Sequence, residues 1–222
     1  MNNIFNLIVI GGGHAGTEAA LAGKRLGLSV ALITLDASKS GRMSCNPAIG
    51  GIGKTHLARE IDAMGGYMAE ATDLAGIQFR TLNKKKGPAV QALRAQADKE
   101  IYEKSIQKKL AEDGVVVIED EVINFVIKKK KIQSAHGKKG EYRSEAFVLT
   151  TGTFLNGAIL IGNEKKEGGR IDEEKSSGLE EFFRNTGAKT GRLKTGTPPR
   201  LEKQSIDFNR LEAQPGDEEN MH

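Results

Sequence analysis

An α/β fold of the doubly wound kind, carrying a β-meander, is predicted by three features of the sequence. An all-apolar run, Leu7-Ile8-Val9-Ile10, stops at the glycine-rich turn Gly11 to Gly16. A helical stretch then leads to a second apolar run at Val30 to Ile33. Four β-rich runs follow between residues 115 and 150. A short, wholly apolar strand is what a central parallel strand covered on both faces requires.

Each element has a local reason. From His14 to Leu26, Ala15, Ala19, Ala22 and Leu26 share one helical side, and Gly27 supplies the C-terminal stop. Asp36 to Ile49 is a polar loop containing a proline. Lys54 to Met64 reads as an amphipathic helix with Leu57, Ile61 and Met64 on one face, closed by Gly65-Gly66. Gln91 to Glu112 reads as one long helix ending at Asp113-Gly114. Val115 to Ile118, Val122 to Ile127, Ile132 to Ala135 and Tyr142 to Thr150 suggest a three-stranded meander feeding one buried strand, with turns at 128–131 and 137–140. Ser176 or Ser177 is placed to cap a helix running through Phe183, and Gly187 to Pro199 has loop composition. No element after Leu201 closes a fold.

Gly11-Gly12-Gly13-His14-Ala15-Gly16 satisfies G-x-G-x-x-G directly after a strand and at the start of a helix. Gly11 permits the tight turn, Gly13 lets the backbone meet a diphosphate at the positive helix end, and Gly16 lets helix and strand pack closely. An acid is expected at the end of the second strand to hold ribose hydroxyls. Thr34 and Leu35 stand there instead, with Asp36 the nearest acid, so the glycines leave FAD and NAD both open. His14 is read as a helix-start residue whose backbone matters, and Glu18 as ordinary helix surface.

A second concentration of unusual residues is Met43 to Lys54, with the lone cysteine Cys45, Pro47, and Gly50, Gly51 and Gly53 opening a helix. A helix start and Lys54 are features that can lower a nearby thiol's pKa, which would make Cys45 a nucleophile or simply the neighbour of an anion site. The competing reading is a small buried cysteine in a tight loop.

Glycine, at 27 residues, lies well above the usual ~7% and implies close backbone approach to something. A net charge of +4 permits a polyanionic partner without demanding one. One cysteine excludes an intrachain disulfide and agrees with a reducing, cytoplasmic setting, and the N-terminus fits neither a signal peptide nor a membrane span. No metal-ligand cluster is expected. The lysine groups 84–86, 128–131 and 138–139 fall in turns, where such runs are usually solvated. Arg192, Lys194 and Arg200 flank a Gly/Pro loop and are better candidates for anionic groups of a ligand.

Long ungapped strings carry a resemblance. Met43 to Lys54, Gly76-Ile77-Gln78-Phe79-Arg80, Lys86-Gly87-Pro88-Ala89-Val90, Arg94-Ala95-Gln96-Ala97-Asp98, Gly152-Thr153-Phe154-Leu155 and 191–200 closely resemble the FAD-binding subunit of the tRNA uridine 5-carboxymethylaminomethyl modification enzymes. The match runs over essentially the whole chain. It implies a Rossmann-like FAD-binding domain of the glutathione-reductase type over residues 1–200, with 201–222 the start of an inserted domain or a truncated, disordered end. Members of that family are much longer, so the chain reads as their N-terminal third, and activity of this portion alone is not expected.

The implied function is modification of the wobble uridine of tRNA, with FAD as cofactor and NADH and methylene-tetrahydrofolate as co-substrates. Glycine or ammonium donates the amine. A tRNA-modification GTPase is the implied heterotetramer partner, and the full-length family is expected to form a homodimer. Cys45 matches a family cysteine proposed to add to the uracil ring, and the flavin positions map onto Gly11, Gly12, Gly13, His14, Ala15, Gly16, Val122 and Ser176. Thr150 to Thr153 resembles the stretch that passes the adenosine half of FAD. A folate- and FAD-dependent tRNA uridine methyltransferase shares the glycine fingerprint but not Met43 to Lys54, and a non-enzymatic FAD-binding fragment is the remaining alternative.

Overall fold

The computed structural model describes residues 4–44, 46–153, 155–168, 178–189, 191, 193, 196, 199 and 201–217. In chain order the elements are β1 (Ile4–Ile10), α1 (His14–Arg25), β2 (Val30–Thr34), β3 (Ala48–Gly50), α2 (Thr55–Ala63), α3 (Met68–Ala75), β4 (Gly76–Leu82), β5 (Ala92–Ala97), α4 (Lys99–Glu112), β6 (Val116–Glu119), β7 (Val122–Lys128), β8 (Lys131–Gly137), β9 (Glu141–Leu149), β10 (Ala158–Ile161), β11 (Glu164–Glu167) and α5 (Gly178–Asn185). They fall into two compact units. One comprises residues 1–42 and 103–191, the other 43–102 and 192–222.

The first unit is built on a six-stranded sheet in the order β6-β2-β1-β9-β8-β7. Strands β6, β2, β1 and β9 are parallel, while β9, β8 and β7 form the antiparallel meander. Alternation along β1 sends Ile8 and Ile10 to one face, into a cluster with Phe5, Ala31, Ile33, Val122, Phe125, Ala135 and Leu179. Phe125 meets Phe147 edge-on at 5.7 Å and Phe182 of α5 at 4.9 Å.

Helix α1 buries Gly16, Thr17, Glu18, Ala20, Leu21 and Gly23. This differs from the expected Ala15, Ala19, Ala22 and Leu26 stripe, since Leu26 is 78% exposed. The cause is close approach: a Cβ on Gly23 would lie 2.8 Å from Leu7 and 2.9 Å from Val30, so the helix meets the sheet through its glycines. Glu18 is buried, against its reading as surface.

The four β-rich runs divide differently from expectation as well. The first belongs to β6, which pairs with β2 at the far edge of the sheet, and the meander's third strand, β9, itself pairs with β1. Although β9 is central in strand order, Phe147, Val148 and Leu149 are only half-buried.

The second unit has an antiparallel sheet in the order β3-β5-β4, together with α2 and α3. The expected single helix from Gln91 to Glu112 is instead β5 followed by α4. Asp98 separates them, its Oδ1 accepting the Glu100 and Ile101 amides at 2.8 and 3.1 Å as an N-cap. Helix α2 occurs where expected, but none of its residues is fully buried.

Candidate dinucleotide-binding site

Backbone geometry at the end of β1 explains each glycine of the loop. Gly11 sits at φ 109° and its amide donates to the Ile33 carbonyl at 2.8 Å, while a Cβ there would come within 2.3 Å of the Thr150 carbonyl oxygen. A Cβ on Gly16 would fall 1.7 Å from the Gly11 oxygen, so only glycine lets α1 begin this close to β1. Gly13 is the opposite case. Among the described residues, its own chain neighbours and helix backbone aside, nothing lies within 4 Å of where its Cβ would project. It is the N-cap of α1, without a capping side chain and with no acid in the first turn, so the positive end of the helix lies at that space.

Thr150, just past β9, ties the third side of the cradle. Its amide donates to the Ile10 carbonyl at 2.8 Å, and its hydroxyl donates to the Ile10 and Gly11 carbonyls, each at 3.0 Å. The sequence marked Thr150 to Thr153 only through resemblance, because a hydroxyl serving two carbonyls 140 residues away leaves no local pattern. His14 enters through its backbone, whose carbonyl accepts the Thr17 hydroxyl at 3.1 Å.

At the end of β2 the expected acid is absent and its nearest substitute is engaged. Asp36 Oδ1 accepts the Ser38 amide at 2.9 Å and the Ser38 hydroxyl at 2.5 Å, and Lys39 lies 3.2 Å from Oδ2. The Ser38 hydroxyl, then Lys39, holds this carboxyl below the usual carboxylate range. Two hydroxyls converge on Gly12 instead, with Thr34 Oγ1 2.8 Å and Ser40 Oγ 3.2 Å from where its Cβ would sit. Ser40 is buried and its hydroxyl has no hydrogen-bond partner among the described residues. Glu119, opposite Thr34 in register, accepts the Ala37 amide at 3.3 Å.

Val122 is buried in the apolar cluster of this unit, and its side chain faces the core. Its backbone follows Asp120, whose amide donates to the Thr34 carbonyl at 3.0 Å, so the chain enters β7 from beside the end of β2. Asp120 is a polar anchor that motif reading missed. Its buried carboxylate accepts the Glu121 amide at 2.8 Å, the Lys139 amide at 3.1 Å and the Tyr142 hydroxyl at 2.7 Å. Burial, reinforced by that hydrogen bond, pushes the Tyr142 phenol up to about 12.

In the second unit, Gly51 donates to the Leu93 carbonyl at 2.8 Å and Thr55 donates to the same oxygen at 2.6 Å, fixing the glycine loop before α2 on β5. Cys45, Ser176, Arg192, Lys194 and Arg200 lie outside the described residues. Among the described residues no group of His, Cys, Asp and Glu is arranged to hold a metal ion, and no helix is long and apolar enough to cross a membrane.

A parallel sheet whose first strand runs through a glycine cradle into an uncapped helix defines a Rossmann-type dinucleotide-binding protein. The chain belongs to the family described as glucose inhibited division protein A, which matches residues 6–222. It is 51% identical over 217 residues to the tRNA uridine 5-carboxymethylaminomethyl modification enzyme MnmG of Sulfurihydrogenibium sp. strain YO3AOP1, covering 96% of this chain and 35% of that protein. It is 49% identical over the same length to the MnmG of Aquifex aeolicus strain VF5, again covering 35% of the relative. The crystal structure of Aquifex aeolicus GidA in its form II crystal superposes with a TM-score of 0.90 at 48% identity, over 96% of this chain and 36% of that one. A GidA-related protein from Thermus thermophilus, at 16% identity and a TM-score of 0.60 over 82% of this chain and 68% of that one, shares the fold. The chain thus spans about a third of the length of the curated relatives it matches.

Proposed function

We propose that this chain is the FAD-binding portion of an enzyme that modifies the wobble uridine of tRNA. The observation that carries the cofactor reading is the space at Gly13. A diphosphate fits there against amides at the start of α1, where a side chain would exclude it. FAD, when bound, supplies the redox chemistry. The protein's own part is to hold the diphosphate at Gly11 to Gly16 and to align the adenosine half along the ends of β2 and β9, with the Val122 backbone and Ser176 as further contacts.

The substrate reading rests on family membership and on near-half identity to enzymes named for tRNA uridine modification. On this reading NADH and methylene-tetrahydrofolate would be the co-substrates, the latter as the source of the one-carbon unit. Glycine or ammonium supplies the amine, a GTPase is the partner of the homodimeric whole protein, and the setting is cytoplasmic. Cys45 is the candidate nucleophile toward the uracil ring, its thiolate adding to carbon 6 to activate carbon 5.

The decisive experiment is reconstitution of the purified chain with FAD, followed by flavin absorbance and fluorescence, with NAD as competitor. FAD bound in preference to NAD supports the reading. A colourless chain that takes up neither would sink it. For the substrate, 5-methyluridine as the product of the whole enzyme, in place of a 5-aminomethyl-type group at the wobble position, would assign the protein to the methyltransferase class.

A further inference from the structure

Between Gly76 and Ala97 the sequence holds Arg80, Lys84, Lys85, Lys86 and Arg94 and no Asp or Glu. The fold brings two of these residues, both half-buried, side by side. Arg80 and Arg94 are register partners across β4 and β5, so the two guanidinium groups leave the same face of the sheet side by side. Like charges directly opposite each other weaken a sheet. The residue facing Arg94 on β3 is Gly50, which adds no side chain to that row.

The lysine loop between the strands is held in one shape. Asn83 adopts φ 58° and its side-chain amide donates to the Val90 carbonyl at 3.1 Å. The Gln91 side-chain amide donates to the Lys84 carbonyl at 3.3 Å and the Lys86 carbonyl at 3.1 Å. Lys84 alone receives a counter-charge, from Asp217 at 2.6 Å, while Arg80 donates to the neutral Gln214 side chain at 2.7 Å. Among the described residues no carboxylate pairs with Arg80, Lys85, Lys86 or Arg94.

The other lysine groups differ. Lys138 lies 2.6 Å from Glu121 and Lys139 3.9 Å from Glu119, so both are neutralised. Residues 128–131 form an isolated hairpin tip between β7 and β8, and the register partners behind it, Val126 and Ser134, carry no charge.

We infer that the Arg80–Arg94 face, with Lys85 and Lys86, is a docking surface for the phosphate backbone of RNA. The inference rests on the tRNA reading above and adds to it a place of contact. A guanidinium fork matches a phosphate in two hydrogen bonds, and a lysine contributes a point charge. From the arginine row to the turn is roughly 13 Å along the strand, a distance over which a nucleic-acid strand presents several phosphates. Bound phosphates relieve the repulsion that the arginine pair otherwise imposes on its sheet.

The test is fluorescence anisotropy of labelled tRNA transcript with the 222-residue chain, titrated between about 50 and about 200 mM salt. Three variants are compared: Lys85→Gln with Lys86→Gln, Arg94→Gln, and Lys129→Gln with Lys130→Gln as a charge-matched control. The 85/86 double variant is expected to bind roughly tenfold more weakly at the lower salt, and its salt slope to fall by about 1.5, the loss of two phosphate contacts. Arg94→Gln is expected to lose affinity at all salts, while FAD-dependent fluorescence is unchanged in every variant. A control that loses as much as the double variant overturns the inference, because the binding is then diffuse. Displacement of the tRNA by poly-glutamate at equal charge overturns it in favour of an acidic polypeptide. A wild-type chain that binds tRNA, with the variants unaffected, overturns the inference alone. A wild-type chain that takes up FAD but no tRNA likewise overturns the inference alone, because the substrate reading stands or falls on the product of the whole enzyme.

Discussion

Gly13 and Gly16 differ in what a single added methyl group would do. At Gly16 the new Cβ runs into the Gly11 oxygen, so Gly16→Ala forces α1 away from β1 and is expected to destabilise the first unit by about 1–3 kcal/mol. At Gly13 the methyl meets no atom of another described residue, so Gly13→Ala is expected to melt close to the wild type yet bind FAD at least tenfold more weakly. Melting curves and flavin titration on the same two proteins check the pair, and undiminished FAD affinity in Gly13→Ala would remove the diphosphate from this space. The fingerprint was legible because its glycines are adjacent in sequence. The engagement of Asp36 by Ser38 was not, because the same letters allow the carboxylate to point at a ribose or back at its own turn.

Two titrations follow from the buried and paired groups. Tyr142 has its pKa raised to about 12, so its neutral form is favoured in the folded chain. That contribution is fully present below the ordinary value of 10 and is lost as pH rises from 10 through about 12. Absorbance titration of the phenolates is expected to show one late component that Tyr142→Phe abolishes. Asp217 runs the other way. Its pKa is lowered from 3.8 to about 2, first by the Lys84 ammonium and then by Thr81, so its contribution is present above 3.8 and lost as pH falls towards 2. Denaturant midpoints measured between those limits are expected to fall for the wild type and to stay flatter for Asp217→Asn.

Among the elements, β5 shows most plainly what periodicity misses. Ala92–Ala97 is alanine-rich and reads as helix, yet it pairs with both β3 and β4 and gains a ladder on each side. Asp98 marks the true helix start, a single capping residue hidden inside a longer helical pattern. Asp98→Ala is expected to cost about 1 kcal/mol, read by denaturant unfolding. Helix α1 was predicted to the residue at its start but on the wrong face, because hydrophobic patterning counts side chains and this helix is seated by their absence at Gly16 and Gly23. The meander's aromatic contacts are equally non-local. Phe125→Ala is expected to cost about 3–5 kcal/mol, since it joins β7 to Phe147 of β9 and Phe182 of α5.

For the whole molecule, FAD at a hundredfold excess over its Kd is expected to stabilise the chain by about 2.7 kcal/mol, seen as a rise in melting temperature that NAD does not reproduce. The first unit closes only by bringing together distant parts of the chain. Ile10 and Thr150, bonded through both amide and hydroxyl of the threonine, are 140 residues apart. At about 5–20 residues per second, a ribosome that has finished β1 needs on the order of ten seconds to deliver Thr150. Through that interval the glycine loop exists as sequence but lacks its third wall. On the proposed reading flavin capture is therefore a late event of synthesis, and a nascent chain released before Thr150 emerges would carry the complete fingerprint without the pocket it encodes.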